Sequence, residues 1–259
     1  MIKISIITIN YNNLAGLQTT FNSVAAQTYQ EFEYIIIDGG STDGSVAYIE
    51  SQAQRLAYWV SELDKGVYHA MNKGIAKASG EYVLFLNSGD HFYDKNSLKD
   101  SVQELKDQDI VYGNLQVVEN DKAVIKEYPI QLSFSYFVKD TLPHPATFIK
   151  RDAFAKTALY KEDFKILSDW KFFIDAICKY NLTYKKINIV VSTFYIGGMS
   201  SNPSNRSLKF QEREQVLQQD YPAYVIDLED VLVNKDLLET LRKSRIIQLL
   251  IKWKFLNKF

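Results

Sequence analysis

The sequence predicts an α/β domain built on a mostly parallel sheet flanked by helices. Three observations carry that expectation. Short apolar runs at residues 4–9 (ISIITI), 34–37 (YIII) and 82–86 (YVLFL) alternate with segments of helical periodicity. Each run stops at a polar or glycine-bearing loop. Strand-length runs spaced by helix-length segments are joined by right-handed crossovers into parallel strands.

Residues 4–9 read as a buried strand, because β-branched side chains fill both faces of a covered sheet. The polar loop Asn10, Tyr11, Asn12, Asn13 ends it. Residues 14–27 follow with Leu17, Phe21, Val24 and Ala25 at helical spacing. Residues 34–37 form the second strand, which stops at DGGSTDG (38–44). That loop starts a helix over 45–54. Residues 57–61 read as a short third strand. Residues 67–79 read as a helix with Met71, Ile75 and Ala78 on one face, and residues 82–86 as the fourth strand. In open sheets of this kind ligands bind beyond the carboxyl ends of the strands. Three polar loops meet that condition: 10–13, 38–44 and 87–90.

The pattern changes after residue 94. A helix is expected over 97–106 and a meander of strands over 110–112, 115–118 and 123–128, with Glu119, Asn120 and Asp121 as the hairpin turn. A strand at 146–149 follows Pro143-His144-Pro145. A helix begins near Ser168, read as its N-cap, with Asp169 in the first turn. A further strand is expected at 187–195 and a polar loop at 197–206. From residue 208 the pattern is helical, acidic over 227–239 and basic over 241–259.

Composition narrows the function. The 259-residue chain has a formal net charge of -1, which gives no global attraction for nucleic acid. One cysteine, Cys178, excludes an intramolecular disulfide and a cysteine-based zinc site, and its apolar flanks predict a buried, inert thiol. The opening apolar run is too short for a secretory signal, and no run reaches the ~18 residues of a membrane span. The expected location is cytoplasmic.

The stretch SELDKGVYHAMNKGIAKASGEYVLFLNSGD (61–90) carries most of the chemistry. It joins an acidic turn, an amphipathic helix, a buried strand and a tip ending in Asp90. A carboxylate at the mouth of a buried strand suits a divalent cation held against a phosphate. With SIITINYN, IIIDGGSTDGS, HPATFIKRDAF and SDWKFFI, in this order and spacing, the chain resembles glycosyltransferase family 2, whose members invert and have the GT-A fold. More narrowly it is similar to the bacterial branch that builds capsule, O-antigen and colanic-acid units.

The resemblance implies a GT-A domain over 1–207, with a nucleotide-binding half (1–94) and an acceptor-binding half (95–207), then a helical tail (208–259). It implies a nucleotide-diphospho-sugar donor, UDP-sugar favoured. Thr8, Asn10 and Tyr11 would wall the nucleotide. Asp38 would read the base, Asp64 would place the nucleoside, and Lys73 would lie near the diphosphate. Asn87 and Ser88 would complete the donor site, with Asn87 on the ribose. Where the family usually has two Asp residues separated by one, this chain has Asn87-Ser88-Gly89-Asp90, so Asp90 is the remaining charged ligand for Mg²⁺ or Mn²⁺, with His144 as a second candidate. Asp169 matches the position of the catalytic base, and Trp170 would stack on the acceptor sugar. The acceptor would be a polyprenyl-linked saccharide. The basic stripe of 241–259 is matched equally by membrane-surface contact and by packing on protein.

Other readings compete. A sugar nucleotidyltransferase shares the nucleotide half-sheet, but its first loop needs glycines and a cation that residues 10–13 lack. A dinucleotide oxidoreductase would need G-x-G-x-x-G after the first strand. The reduced Asp pair also suits a nucleotide-sugar-binding scaffold without catalysis.

Overall fold

The computed structural model describes residues 3–198 and 202–229, together with 231, 241, 244, 247, 252 and 253. The chain divides into two compact units, Met1–Glu212 and Arg213–Phe259.

The first unit opens with β1 (Ile4–Asn10), buried along its whole length, and α1 (Leu14–Ala25), capped by the Asn13 side chain on the Gly16 N–H. β2 (Phe32–Asp38), α2 (Ser45–Ser51) and a 3₁₀ turn lead to β3 (Tyr58–Ser61). α3 (Val67–Lys77) and β4 (Tyr82–Phe85) complete the first half. β1, β2, β3 and β4 are mutually parallel, in the order β3-β2-β1-β4. Their register puts Asn10 opposite Asp38 and Asp38 opposite Ser61, so the strand ends form a polar row.

The sheet then becomes mixed. It continues through β5 (His91–Phe92), β6 (Ile110–Glu119), β7 (Lys122–Lys126), β8 (Thr147–Lys150) and β9 (Tyr184–Tyr195), with α4 (Ser97–Glu104) and α5 (Phe134–Lys139) between them. β8 runs antiparallel to β4 and β6, whereas β9 lies parallel to β6 and antiparallel to β5. The two short strands expected at 110–112 and 115–118 are one strand, irregular between Tyr112 and Leu115. Gly113 lies in that irregular stretch, where a Cβ would stand 2.5 Å from Val191 and 2.6 Å from the Ile189 carbonyl. β6 and β7 turn through Asn120 and Asp121, both at positive φ, the backbone that a tight hairpin requires.

α6 (Arg151–Lys156) and α7 (Ser168–Ile174) complete the layer beside β8, and α7 runs into a π-helical turn at Asp175–Lys179. Ser168 is not the N-cap expected of it. Leu167 holds that position, and the Ser168 hydroxyl is buried without a partner. The segment leading into α7 is held by Glu212, in α8 (Arg206–Asp220), which accepts the N–H groups of Lys165 (2.6 Å), Ile166 (3.1 Å) and Leu167 (2.9 Å). Cys178 is partly exposed rather than buried, and burial of its sulfur still pushes the thiol up to about 11. No described helix is long and apolar enough to cross a membrane. Most of the basic stripe at 241–259 lies outside the described residues.

Candidate active site

The strand-end row is held together by hydrogen bonds that occupy several of the residues expected to bind the donor. Thr8 is fully buried, its hydroxyl 2.7 Å from the Leu86 carbonyl and 2.9 Å from the Tyr34 hydroxyl. Asn10 donates to Asp38 Oδ1 (2.7 Å) and accepts from the Ser88 hydroxyl (2.8 Å), which ties β1 to β2 and to the loop after β4. Asp38 is also fully buried. It receives the Asn10 amide, the Ser41 and Ser61 hydroxyls and the N–H groups of Gly40 and Ser41. Burial alone would raise its carboxyl, but the bonds from Ser41, Ser61 and Asn10 outweigh it and hold it below the usual range. Thr8, Asn10 and Asp38 therefore build the loops, and both oxygens of Asp38 already accept hydrogen bonds within the protein.

Tyr11 and Asp64 are placed differently. Tyr11 is 66% exposed. The Asp64 side chain is 8% exposed and receives His69 (2.8 Å) and Lys73 (2.6 Å) on Oδ1, whereas Oδ2 is buried without a partner. Lys73, expected beside a diphosphate, is paired with Asp64 and Glu62. Its neighbour Asn72 holds the backbone of Tyr160 from both sides.

Asn87, Ser88, Gly89 and Asp90 line a cleft of about 490 Å³ that also contains Tyr68, Phe85, His144, Lys165 and Asp169. Thr20 Oγ1 staples the tip, 2.6 Å from the Asp90 carbonyl and 3.0 Å from the Gly89 N–H. Gly89 has φ 106, a conformation that disfavours an L side chain, so the position usually held by the family's second carboxylate is conformationally closed to one. Among the described residues, no hydrogen bond or ion pair reaches the Asp90 carboxylate. Burial pushes it up to about 8. Asn87 Oδ1 is likewise buried and unpartnered. Two orphaned oxygens on one tip fit a divalent cation. No described group of three His, Cys, Asp or Glu side chains could enclose one, so phosphate oxygens and water would have to complete the shell.

Asp169, in the first turn of α7, faces the same cleft. Its Oδ1 accepts the Tyr68 hydroxyl at 2.9 Å. His144 does not stand as an open ligand. Its Nε2 meets the Tyr160 hydroxyl at 2.9 Å and its ring stacks on Phe85 at 4.8 Å. Burial pushes its imidazole down, so it is neutral at pH 7. Trp170, expected as a sugar-facing wall, is wholly buried and donates its indole N–H to the Phe137 carbonyl at 2.8 Å. Trp170 follows Asp169 on the helix, so it points into the core while the carboxylate faces out.

The sequence profile described as Glycosyl transferase family 2 matches residues 5–163, more than half of the chain. The chain belongs to glycosyltransferase family 2. Its relatives agree with this assignment. An uncharacterized glycosyltransferase of Mycobacterium tuberculosis is 40% identical over 181 residues, covering 67% of this chain and 68% of that protein. A PGL/p-HBAD biosynthesis glycosyltransferase of Mycobacterium bovis is 29% identical over 204 residues, covering 76% and 78%. Among solved structures, S. aureus TarS superposes with a TM-score of 0.63 at 21% identity, over 75% of this chain and 37% of TarS. The mannosyltransferase PcManGT of Pyrobaculum calidifontis, solved with GDP-Man and Mn²⁺, gives a TM-score of 0.58 at 18% identity, over 76% and 58%. These two likenesses carry the GT-A fold, and the family carries the enzyme class: the protein is a glycosyltransferase.

Two residues of the cleft, Tyr68 and Lys165, escaped the sequence reading. Tyr68 lay inside the recognised GVYHAMN stretch without a role. Lys165 sits in an irregular segment with no periodicity to mark it. Glu212 lies on a helix whose pattern gives no hint of a contact with residues 165–167.

Proposed function

We propose that this glycosyltransferase moves a sugar from a nucleotide-diphospho-sugar, a UDP-sugar in first preference, to a hydroxyl of a saccharide acceptor with inversion. The observation that carries the reading is that the carboxylates of Asp90 and Asp169 line one cleft although 79 positions separate them along the chain.

The chemistry follows from that arrangement. Asp169 takes the proton from the acceptor hydroxyl as its oxygen bonds to the anomeric carbon. The bond from that carbon to the phosphate oxygen breaks, and its electron pair leaves with the nucleoside diphosphate on the opposite face. Asp90 and Asn87 would hold a divalent cation, which when bound offsets charge on the leaving diphosphate. Tyr11 offers a ring for the base, and Asp64 Oδ2 offers an acceptor for a base or ribose donor. TarS has been solved with UDP-GlcNAc and PcManGT with GDP-Man, which supports a nucleotide-sugar donor here. Tyr195 and Ile196, half-exposed on the rim, suit an acceptor with apolar and sugar faces. The relative named for PGL/p-HBAD biosynthesis supports an acceptor from glycolipid assembly.

The test is release of nucleoside diphosphate from UDP-GlcNAc, UDP-glucose and GDP-mannose with Mn²⁺, comparing the wild type with Asp169→Asn. The reading expects turnover of one donor that Asp169→Asn abolishes. Nucleotide-sugar binding without turnover in the presence of glycan acceptors would favour the scaffold reading, which the single tip carboxylate motivates.

A further inference from the structure

The Tyr68 hydroxyl stands between two acceptors, Asp169 Oδ1 at 2.9 Å and the Ile166 carbonyl at 2.5 Å. It has one proton and can satisfy only one of them at a time. An ionised carboxylate is the stronger acceptor, so the proton lies toward Asp169 while that group is charged. A protonated Asp169 loses this advantage, and the nearby Ile166 carbonyl then competes. Burial, and after it the charge of Asp169, pushes the Tyr68 hydroxyl well above its ordinary range, so it remains a donor throughout. The ring is fixed by its packing against Tyr160, with centroids 5.7 Å apart.

We infer that Tyr68 is a positioning residue for Asp169: its hydroxyl engages Oδ1, leaves Oδ2 to take the acceptor's proton, and turns to the Ile166 carbonyl once the base is protonated. This rests on Asp169 being the base. The step balances, because the acceptor O–H proton ends on Oδ2 while the Tyr68 proton changes partner without leaving its oxygen. The other groups sharing the environment of Asp169 are His144, Tyr160, Lys165 and, in the same cleft, Asp90. None of them is recorded in a hydrogen bond to the Asp169 carboxylate.

The experiment follows the carboxyl ¹³C signals of aspartate-labelled full-length protein at pH 7, the Asp169 signal being the one lost in Asp169→Asn. In Tyr68→Phe, which keeps the ring, the Asp169 carboxyl signal should move, because the hydroxyl that donates to its Oδ1 has been removed. kcat at pH 7 with the donor identified in the hydrolysis panel should fall roughly tenfold with donor KM unchanged. An unmoved signal overturns the inference. If Asp169→Asn retains turnover, the base assignment fails whatever Tyr68→Phe does. If Asp169→Asn is inactive and Tyr68→Phe matches the wild type, the positioning role alone fails. Should Tyr68→Phe not fold, 3-fluorotyrosine at position 68 replaces it. As a stronger donor it should move the Asp169 signal in the opposite direction, and no movement again overturns the role.

Discussion

Tyr11 and Asp64 both approach Gly39: a Cβ there would lie 3.1 Å from the Tyr11 ring and 3.5 Å from Asp64 Oδ2. The exposed ring and the partnerless oxygen thus border the same glycine, where the proposed nucleoside would sit. Gly39→Ala should crowd that place and shift the ring. We expect a several-fold weaker UDP affinity by calorimetry with little loss of thermal stability. Asp64→Ala should weaken binding further, since it also frees Lys73 and His69. Unchanged affinity in both variants would move the nucleoside elsewhere.

A cation held by Asp90, as proposed, would bind with a pH dependence. Its folded-state carboxyl titrates near 8, above the ordinary carboxylate range, so the folded state holds the proton more tightly than the unfolded chain does. Stability therefore falls as pH rises from about 4 to 8, by at most ~1.4 kcal/mol per unit. A cation needs the ionised form, so the thermal shift produced by Mn²⁺ should grow between pH 6 and 8.5. In Asp90→Asn both effects should disappear. A pH-independent Mn²⁺ shift would argue that the ion binds at another place.

Asp169→Asn should abolish sugar transfer, a loss of at least 10²-fold for a missing general base. Nucleotide affinity should remain within about twofold, because Asp169 lies on the later half of the chain, apart from Tyr11 and Asp64. Calorimetry and turnover together separate these. Parallel loss of both would mean that the cleft had collapsed.

Glu33 predicts acid sensitivity. Burial would raise its carboxyl, but bonds from Ser5, Ser79 and Lys3 outweigh it and hold it at about 2. A depressed carboxyl contributes stability that is present above the unfolded value near 4.5 and lost as pH falls through 2. Glu33→Gln should flatten the stability curve across that window, with a difference of up to ~3 kcal/mol at pH 7. Chemical denaturation at several pH values measures this.

The parallel half of the sheet was legible because its strands are apolar on both faces and its helices keep a 3.6-residue period. Residues 4–9, 34–37 and 82–86 match β1, β2 and β4 to within two residues at each end. The mixed half was harder to read. The irregularity at Gly113 split one strand into two apparent runs, and the two-residue β5 and the six-residue α5 and α6 are too short to show a period. At the site, position in the chain was legible and side-chain direction was not. Asp90, Asp169, Asn87 and Ser88 come together in the cleft. Thr8, Asn10 and Asp38 are turned inward by hydrogen bonds formed only after the strands pair. Trp170 is buried because its neighbour on the helix is the residue that faces the cleft.

The Glu212 clamp sets where the working enzyme can be cut. The family match stops at residue 163, before Asp169 and well before the carboxylate that receives the amides of 165–167. Expression of the matched segment alone would omit Asp169. Stopping just short of α8 would leave three backbone donors facing nothing where that carboxylate had been, at a cost of ~1–3 kcal/mol for each one that water cannot reach. The shortest useful truncation is thus defined by a single glutamate outside the family-matched segment.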